Sequence, residues 1–258
     1  MPSALKINYF AHEAEQLNYP PVILIHGAGG NHLSWPPQIR RLPEKRVFAI
    51  DLPGHGKSEG AGRHSIDEYV EDLISFMESL DIHKALLVGV SMGGAIALAF
   101  ALKYPDRVQG LALLGTGAKM RVAPEILEAL GNSNMFEAIV NEISKNCFSE
   151  NAPQNFIQLS AQAMLQMNPP ALLGDFMACD QFDITAQLKK IKTPVLIICG
   201  SEDKMTPLKY SVSLKDKIVN SRLEIVNGAG HMVMTEQPDI VAGLLAQFID
   251  ALPLRPGS

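Results

Sequence analysis

The sequence of 258 residues has little cysteine, few aromatic residues and no excess of basic charge. Its three cysteines, Cys147, Cys179 and Cys199, are an odd number without a CxxC pair, which argues against a disulfide framework and a thiolate metal site. Lys and Arg number 22 against 27 Asp and Glu. A chain without a basic field has no electrostatic means of collecting phosphates, so nucleic acid is not an expected partner. HExxH and other metal spacings are missing too, and we expect no metal.

Signals for secretion and for a membrane are also missing. The opening MPSALKINYFAHEAEQ lacks the apolar centre of a signal peptide, and no N-x-[ST] acceptor occurs, which together with the cysteines predicts a cytoplasmic protein. Residues 85–102 are 18 uncharged residues, long enough to be a candidate membrane span. Their middle contains three glycines and a serine, however, and a buried strand turning into a buried helix explains both halves. We therefore expect no membrane contact.

Short apolar runs recur along the chain with helical segments between them. Continuous apolar runs are typical of strands buried on both faces of a parallel sheet that helices cover. The runs cover residues 21–25, 46–50, 85–90, 108–115, 194–199 and 222–226. Residues 66–80 carry apolar side chains on one face at helical spacing, and Ser65 with Glu68 predicts a capping box at the start of that helix. A last helix is expected near residues 238–252.

The alternation stops between Gly117 and Lys190, where the sequence predicts helices rich in Met and Phe and no strand. An all-helical insertion in an α/β sheet is typical of a lid over the carboxyl edge, where open sheets bind ligands. We therefore expect a core of residues 1–116 and 191–258 and a lid of residues 117–190. Met164, Met167 and Phe176 are candidates for an apolar roof that contacts substrate, with packing inside the lid as the alternative for each.

Two glycine-rich segments look like phosphate-binding loops but fail on one position each. GHGKS at 54–58 ends like a Walker A loop, but the first glycine of that motif would be residue 51, which is Asp51. HGAGGNH at 26–32 follows a predicted strand, but the third glycine of GxGxxG would be residue 32, which is His32. A nucleotide cofactor is therefore not expected.

The segment GVSMG at 89–93 matches GxSxG, a pattern that chance would place in about one chain in ten of this length. Its context makes it informative, because it lies where the run LLVGV meets an Ala-rich helical segment. A nucleophilic serine on a strained turn requires that strand–turn–helix placement, and Gly89 and Gly93 leave room for the tight turn. Ser91 is therefore the candidate nucleophile.

A serine hydroxyl needs a base, and the base needs a carboxylate to orient it. Glu202 and Asp203 follow the strand predicted at 194–199, and His231 lies in the Gly-rich loop after the strand at 222–226. Asp203 is the candidate acid and Glu202 its alternative. Among the other histidines, His32 is placed to border the pocket, and we expect those in polar segments to be solvated: His12, His55, His64 and His83.

These motifs together resemble the α/β-hydrolase fold serine hydrolases. The resemblance runs from HGAGG through DLPGHGKS, GVSMGG and GSED to GAGH, and so covers essentially the whole chain. It implies a mostly parallel, doubly wound sheet with an all-helical cap inserted after the sixth core strand. It also implies that Ser91 is the nucleophile, His231 the general base and then acid, and Asp203 the orienting acid.

The same resemblance assigns the oxyanion hole to the backbone amides of Ala28 and Met92. His26 resembles the structural histidine that the family places beneath the oxyanion loop. The activity implied is cofactor-free hydrolysis of carboxylic esters through an acyl-enzyme. The segment 117–190 carries five basic side chains, one of them an arginine, against eight acidic ones. A bulky anion would need basic side chains to hold it, so small to medium, largely uncharged esters are favoured.

Other activities stay open at this point. The same triad serves C–C bond hydrolases, perhydrolases and acyltransferases. The C–C hydrolases that resemble this chain usually carry a tryptophan directly after the catalytic histidine, where this sequence has Met232. Some family members keep an intact triad yet serve signalling, so a non-enzymatic small-molecule receptor is the third alternative. The sequence does not indicate an oligomeric state.

Overall fold

The computed structural model describes residues 3–4, 6–13 and 19–253, so the two ends of the predicted core, residues 1–2 and 254–258, lie outside it. Its sheet has eight strands in the order β1-β2-β4-β3-β5-β6-β7-β8. The strands are β1 Ser3–Ala4, β2 Ile7–His12, β3 Val22–Ile25, β4 Val47–Ile50, β5 Ala85–Val90, β6 Val108–Leu114, β7 Val195–Gly200 and β8 Ser221–Val226. Strands β3 to β8 are parallel, and β1 and β2 are antiparallel to their neighbours.

Helices lie on both faces of this sheet and in one long insertion. They are α1 Pro37–Arg40, α2 Ile66–Ser79, α3 Met92–Lys103, α4 Pro124–Gly131, α5 Phe136–Asn146, α6 Gln154–Leu165, α7 Pro169–Gln181, α8 Lys209–Lys217, α9 Val233–Glu236 and α10 Pro238–Asp250. Short 3₁₀ turns occur at His32–Ser34, Pro105–Arg107 and Leu188–Lys190. In the part of the chain that the structure describes, no helix has both the length and the apolar character that crossing a bilayer needs.

The six apolar runs form the six parallel strands, each within one residue of its predicted ends. Strands β3, β4, β5 and β7 are buried along their whole length, as strands covered on both faces must be. No predicted strand corresponds to β1 or β2. Strand β2 has an outer half that is only partly buried, and Asn8 and His12 interrupt its apolar pattern, so no continuous run marks it.

Helix α2 begins where the capping residues predict. The Ser65 hydroxyl accepts the amide of Glu68 at 3.3 Å and donates to the Glu68 carboxylate at 2.9 Å. That carboxylate also accepts the amide of His64 at 3.2 Å, one residue earlier than the usual capping box. The buried face of α2 includes Tyr69 and Leu73, so the predicted amphipathic helix is confirmed.

Helices α4 to α7 all lie between β6 and β7, in the segment of residues 117–190, which we call the insertion. The insertion has its own apolar cluster, which includes Val140, Phe148 and Leu172. An isolated antiparallel bridge joins Lys119 to Asp183, and their side chains form an ion pair at 2.6 Å. The two ends of the insertion therefore meet at its base.

Candidate active site

Ser91 lies on the sharp turn between β5 and α3, with φ of 53° and ψ of −119°. A positive φ is strained for a residue with a side chain and persists only where the surroundings enforce it. Here close packing enforces it, since a Cβ on Gly89 would collide with the backbone of Gly93, and one on Gly93 would collide with the carbonyl of Ile25. The GxSxG segment therefore forms the tight strand-to-helix turn that the sequence predicts, with Ser91 at the carboxyl end of β5.

His231 and Asp203 meet at the same edge of the sheet, after β8 and β7. The Nδ1 atom of His231 lies 2.9 Å from Asp203 Oδ2 and 3.1 Å from Oδ1. Both residues are buried, at 4% and 6% exposure. Burial of Asp203 opposes ionisation, but the charge and hydrogen bond of His231 and the hydrogen bonds of Thr206 outweigh it and hold the pKa of Asp203 below its usual value. An ionised carboxylate thus faces the imidazole.

The neighbouring acid points elsewhere. The Glu202 carboxylate accepts the backbone amide of Glu150, in the insertion, at 3.3 Å. Adjacent residues of an extended segment project in different directions, so only one of the two carboxylates can reach His231. The structure brings Asp203, and not Glu202, to the histidine.

Three residues that support this pair were missed in the sequence. Thr206 donates its amide to Asp203 Oδ1 at 2.7 Å and its hydroxyl to Oδ2 at 2.8 Å. Gly115 has a φ of +49°, and a Cβ there would lie 3.0 Å from His231 Nδ1. The Glu236 carboxylate accepts the amide of Gly230, the residue before His231, at 2.8 Å. Gly115 gives no local signal, because only the fold brings it to His231. Thr206 and Glu236 contact residues three and six positions away, so their spacing carries a weak local signal.

The loop after β3 contains Ala28, one of the two proposed oxyanion donors. His26 is fully buried beneath this loop. Its Nδ1 lies 2.8 Å from the Gly27 carbonyl, and its Nε2 lies 3.0 Å from the Leu52 amide and accepts from it. These partners require a neutral imidazole protonated on Nδ1, and burial, with a smaller contribution from His55, lowers the pKa of His26 to about 4. The other proposed donor, Met92, is the first residue of α3, and its side chain is fully buried.

Two histidines differ from expectation. His55, expected to be solvated, is 1% exposed, and its Nε2 lies 2.7 Å from Oδ2 of Asp175 in the insertion. The polar segment around His55 suggested exposure, but the partner that buries it lies 120 residues away in the sequence. His32, expected at the border of the pocket, is turned inward, with Nδ1 at 2.8 Å from the buried Asp51 carboxylate, and it does not line the cavity described below.

The remaining histidines of polar segments fit the expectation more closely. His64 and His83 are exposed, and His12 is partly buried. Cys199 is the last residue but one of strand β7 and is fully buried.

A cavity of about 890 Å³ lies between the carboxyl edge of the sheet and the insertion. Ser91, His231 and Ala28 line it from the sheet side. The three roof candidates all line it from the insertion: Met164, Met167 and Phe176. Met164 and Phe176 also belong to the apolar cluster of the insertion. These two side chains therefore both line the cavity and pack inside the insertion.

The rest of the lining was not predicted. Most side chains that the insertion contributes are apolar, among them Met120, Ile143, Phe148 and Phe156. The described lining includes one permanent cation, Arg121, whose Nη1 donates to the Asp180 carbonyl at 2.9 Å and lies 3.8 Å from its carboxylate. Its charge is therefore partly offset before any ligand enters.

The sheet, the strained serine and the buried His–Asp pair define a hydrolase of the α/β class. The chain belongs to the α/β hydrolase fold family, whose model matches residues 20–238, and the resemblance found in the sequence is confirmed. It is 30% identical over 250 residues to a 2-hydroxymuconate semialdehyde hydrolase of Pseudomonas putida, covering 89% of this chain and 86% of that protein.

Two further relatives show the range of the family. A putative 2-succinyl-6-hydroxy-2,4-cyclohexadiene-1-carboxylate synthase of Bacillus subtilis strain 168 is 28% identical over 250 residues, covering 90% of each chain. The solved structure of a thermophilic esterase from Thermogutta terrifontis superposes with a TM-score of 0.85 at 27% identity, covering 95% of this chain and 93% of that one.

Proposed function

We propose that the protein is a serine hydrolase that cleaves carboxylic esters of small to medium, largely uncharged substrates through an acyl-enzyme. One observation carries the proposal: Ser91, on its strained turn, and His231, hydrogen-bonded to the buried Asp203, line the same cavity. The likeness to the Thermogutta terrifontis esterase supports ester hydrolysis.

The proposed reaction begins with attack of the Ser91 hydroxyl oxygen on the ester carbonyl. The Asp203 carboxylate accepts Nδ1–H of His231, which leaves the Nε2 lone pair free to take the serine proton. The same Nε2 then gives that proton to the departing alcohol. Water, deprotonated by His231, attacks the acyl-enzyme, and the acid leaves as Ser91 regains its proton.

The negative charge that develops on the carbonyl oxygen needs donors that are already in position. We assign this role to the amides of Ala28 and Met92, the latter at the N-terminus of α3, where the helix dipole adds positive potential. Losing one such donor typically costs 10²-fold to 10³-fold in kcat.

We further propose that residues 117–190 act as a cap that forms the roof of the substrate site. A volume of about 890 Å³ fits a small to medium ligand. The mainly apolar lining favours an apolar acyl or alcohol chain, and the contact of Arg121 with Asp180 weakens the positive charge that Arg121 brings to the described lining. The three cysteines are buried and unpaired, which supports a reducing compartment, and we place the protein in the cytoplasm.

A second candidate, C–C bond hydrolysis on the same triad, is favoured by the 30% identity to the 2-hydroxymuconate semialdehyde hydrolase. Against it stands Met232, which follows His231 where a tryptophan is usual and which lines the cavity. Comparing turnover of p-nitrophenyl esters with that of a ring-cleavage semialdehyde separates the two candidates. Faster turnover of the semialdehyde would replace the ester proposal.

The direct test uses p-nitrophenyl acetate. We expect a burst of p-nitrophenol equal to the enzyme concentration, followed by steady turnover. Ser91→Ala should lower kcat by about 10⁶-fold with the fold intact, because triad residues act as a unit. A serine-directed phosphonate should label Ser91 and no other residue. If Ser91→Ala kept a tenth of the activity, the mechanism would be wrong. Ligand binding without a burst and without steady turnover would indicate a receptor.

A further inference from the structure

A charged side chain of the insertion reaches into the core beneath the oxyanion loop. Asp175 lies on α7 and is 0% exposed. Its three hydrogen-bond donors all belong to the core and not to the insertion. They are the Gly29 amide at 3.0 Å, His55 Nε2 at 2.7 Å and the Tyr69 hydroxyl at 2.6 Å.

Small residues let α7 come close enough to deliver this carboxylate. A Cβ on Gly62 would lie 3.0 Å from the Cβ of Ala171, and one on Gly174 would lie 2.6 Å from the Arg63 carbonyl. The helix therefore packs directly on the backbone of residues 62–64. The close approach of α7 depends on these two glycines, because a larger residue at either position would push α7 outward.

The donors around Asp175 fix its charge and that of its partner. Nδ1 of His55 lies 3.0 Å from the Pro53 carbonyl and Nε2 faces Asp175, so both ring nitrogens meet acceptors and both must carry protons. Burial opposes this charge, but Asp175, with smaller contributions from the Pro53 carbonyl and Asp51, outweighs burial, and the pKa of His55 is raised. The result is a buried ion pair, whose removal on one side leaves the other charge unpaired.

The Gly29 amide connects this pair to the proposed oxyanion hole. Residues 27–30 form a turn in which the Gly30 amide donates to the Gly27 carbonyl at 3.1 Å, and Gly29 has a φ of +70°. The peptide group before the Ala28 Cα carries the Ala28 amide. The peptide group after it carries the Gly29 amide, which donates to Asp175. Because the two peptide groups share the Ala28 Cα, fixing the Gly29 amide limits the rotation of the peptide group that carries the Ala28 amide.

We propose that Asp175 is a positioning residue for the hydrolytic reaction: from the insertion, it holds the Gly29 amide and thereby sets the direction of the Ala28 amide toward the reacting carbonyl oxygen. This inference rests on the proposed function, in which Ala28 is an oxyanion donor. It gives the insertion a part in transition-state stabilisation as well as in forming the roof. Movement of α7 away from the core would disorder the oxyanion hole.

The test compares Asp175→Ala and Asp175→Val with Tyr69→Phe, because neither replacement side chain can accept the Gly29 amide. Tyr69→Phe removes one donor to the same carboxylate and leaves the Gly29 contact in place, so it is the matched control. For p-nitrophenyl acetate we expect both Asp175 variants to lose about 10-fold to 100-fold in kcat with KM within a factor of two of the wild type, as a misdirected oxyanion donor would cause. Tyr69→Phe should lower Tm and keep kcat within a factor of two.

A second readout isolates the oxyanion. Ser91 adds to a trifluoromethyl ketone and forms a tetrahedral adduct with an oxyanion. The secondary alcohol of the same carbon skeleton has no carbonyl group and binds without an oxyanion. In the Asp175 variants the affinity for the ketone should fall in parallel with kcat, and that for the alcohol should not change. Asp175→Val fills more of the space of the carboxylate, still accepts no hydrogen bond, and is the variant to use where Asp175→Ala does not fold.

The outcomes separate the two proposals. A wild-type enzyme without esterase turnover would contradict the proposed function. An active wild-type enzyme, together with folded Asp175 variants that keep their kcat and ketone affinity and lose only Tm, would overturn the role of Asp175 and leave the proposed function standing. Equal loss of kcat in Tyr69→Phe would also overturn it, since that change leaves the Gly29 contact in place.

Discussion

The Thr206 hydroxyl donates to Asp203 Oδ2 at 2.8 Å and lies 3.2 Å from His231 Nδ1, so one side chain contacts both members of the buried pair. The Thr206 amide donates to the other carboxylate oxygen at 2.7 Å. Asp203 thus has both oxygens held by a residue three positions along the same loop. Because Thr206 donates to both oxygens, the orientation of the Asp203 carboxylate is fixed, and its remaining lone pairs face the imidazole of His231.

Thr206→Val should therefore weaken catalysis without removing a member of the triad. The change deletes a hydrogen bond to a charged group, worth about 1.5 to 3 kcal/mol, and we expect kcat for p-nitrophenyl acetate to fall by roughly 10-fold. Thr206→Ser keeps the hydroxyl and should stay near the wild-type kcat. Equal activity of the two variants would mean that the amide contact alone orients Asp203.

Replacing the two adjacent acids tests which one belongs to the triad. Asp203→Asn should lower kcat by roughly 10⁴-fold, because the imidazole would adopt the wrong tautomer. Glu202→Gln should lose little, since that carboxylate contacts the Glu150 amide and not His231. Measured kcat values in the reverse order would move the acid by one residue.

The roof should set a preferred chain length. Each added methylene that becomes buried contributes about 0.8 kcal/mol, so kcat/KM should rise by up to about fourfold per CH₂ until the cavity is full, and then fall. We expect the optimum over p-nitrophenyl esters from about C2 to C12 at roughly C4 to C8. Met164→Ala or Phe176→Ala should shift it toward longer chains.

Met135 provides the control for the roof, because it lies in the insertion, is 46% exposed and does not line the cavity. Met135→Ala should leave the chain-length optimum unchanged. If the profile were flat with chain length in wild type and variants alike, the insertion would not form the acyl site.

The buried His26 should make the protein less stable in mild acid. In the unfolded chain a histidine takes up its proton near pH 6.5, but in the fold the pKa of His26 is lowered to about 4, so between these values the unfolded state binds more protons. The free energy of unfolding should therefore fall as the pH drops below 6.5, by about 2 kcal/mol at pH 5 from this group alone.

Urea unfolding at pH 8 and pH 5 measures this effect, with His26→Asn as the variant that cannot titrate. The Asn side chain keeps one donor and one acceptor. The free energy of unfolding of His26→Asn should therefore fall less between pH 8 and pH 5 than that of the wild type. His55 acts in the opposite sense, since its raised pKa adds stability below pH 6.5 that is lost as the pH rises through the folded pKa. Equal drops in the wild type and His26→Asn would contradict the assignment.

Local patterns in the sequence determined the architecture and the chemistry of the site. Strand β5 and the turn at Ser91 are readable because burial on both faces requires a continuous apolar run and a strained turn requires small flanking residues. Such requirements act within a few residues, so they can be recognised in the sequence without knowledge of the fold. The same holds for the capped start of α2 at Ser65.

Only the tertiary structure decided which polar groups meet. His55 and Asp175 are 120 residues apart, and His55 by itself has the neighbours of a solvated residue. Gly115 looks like an ordinary loop glycine until His231 and Asp203 are packed against it. A buried charge is tolerated only beside a partner, and the sequence does not state which partner the folded chain brings within hydrogen-bond distance. That pairing depends on how α7 packs against the core, and packing is a property of the whole chain.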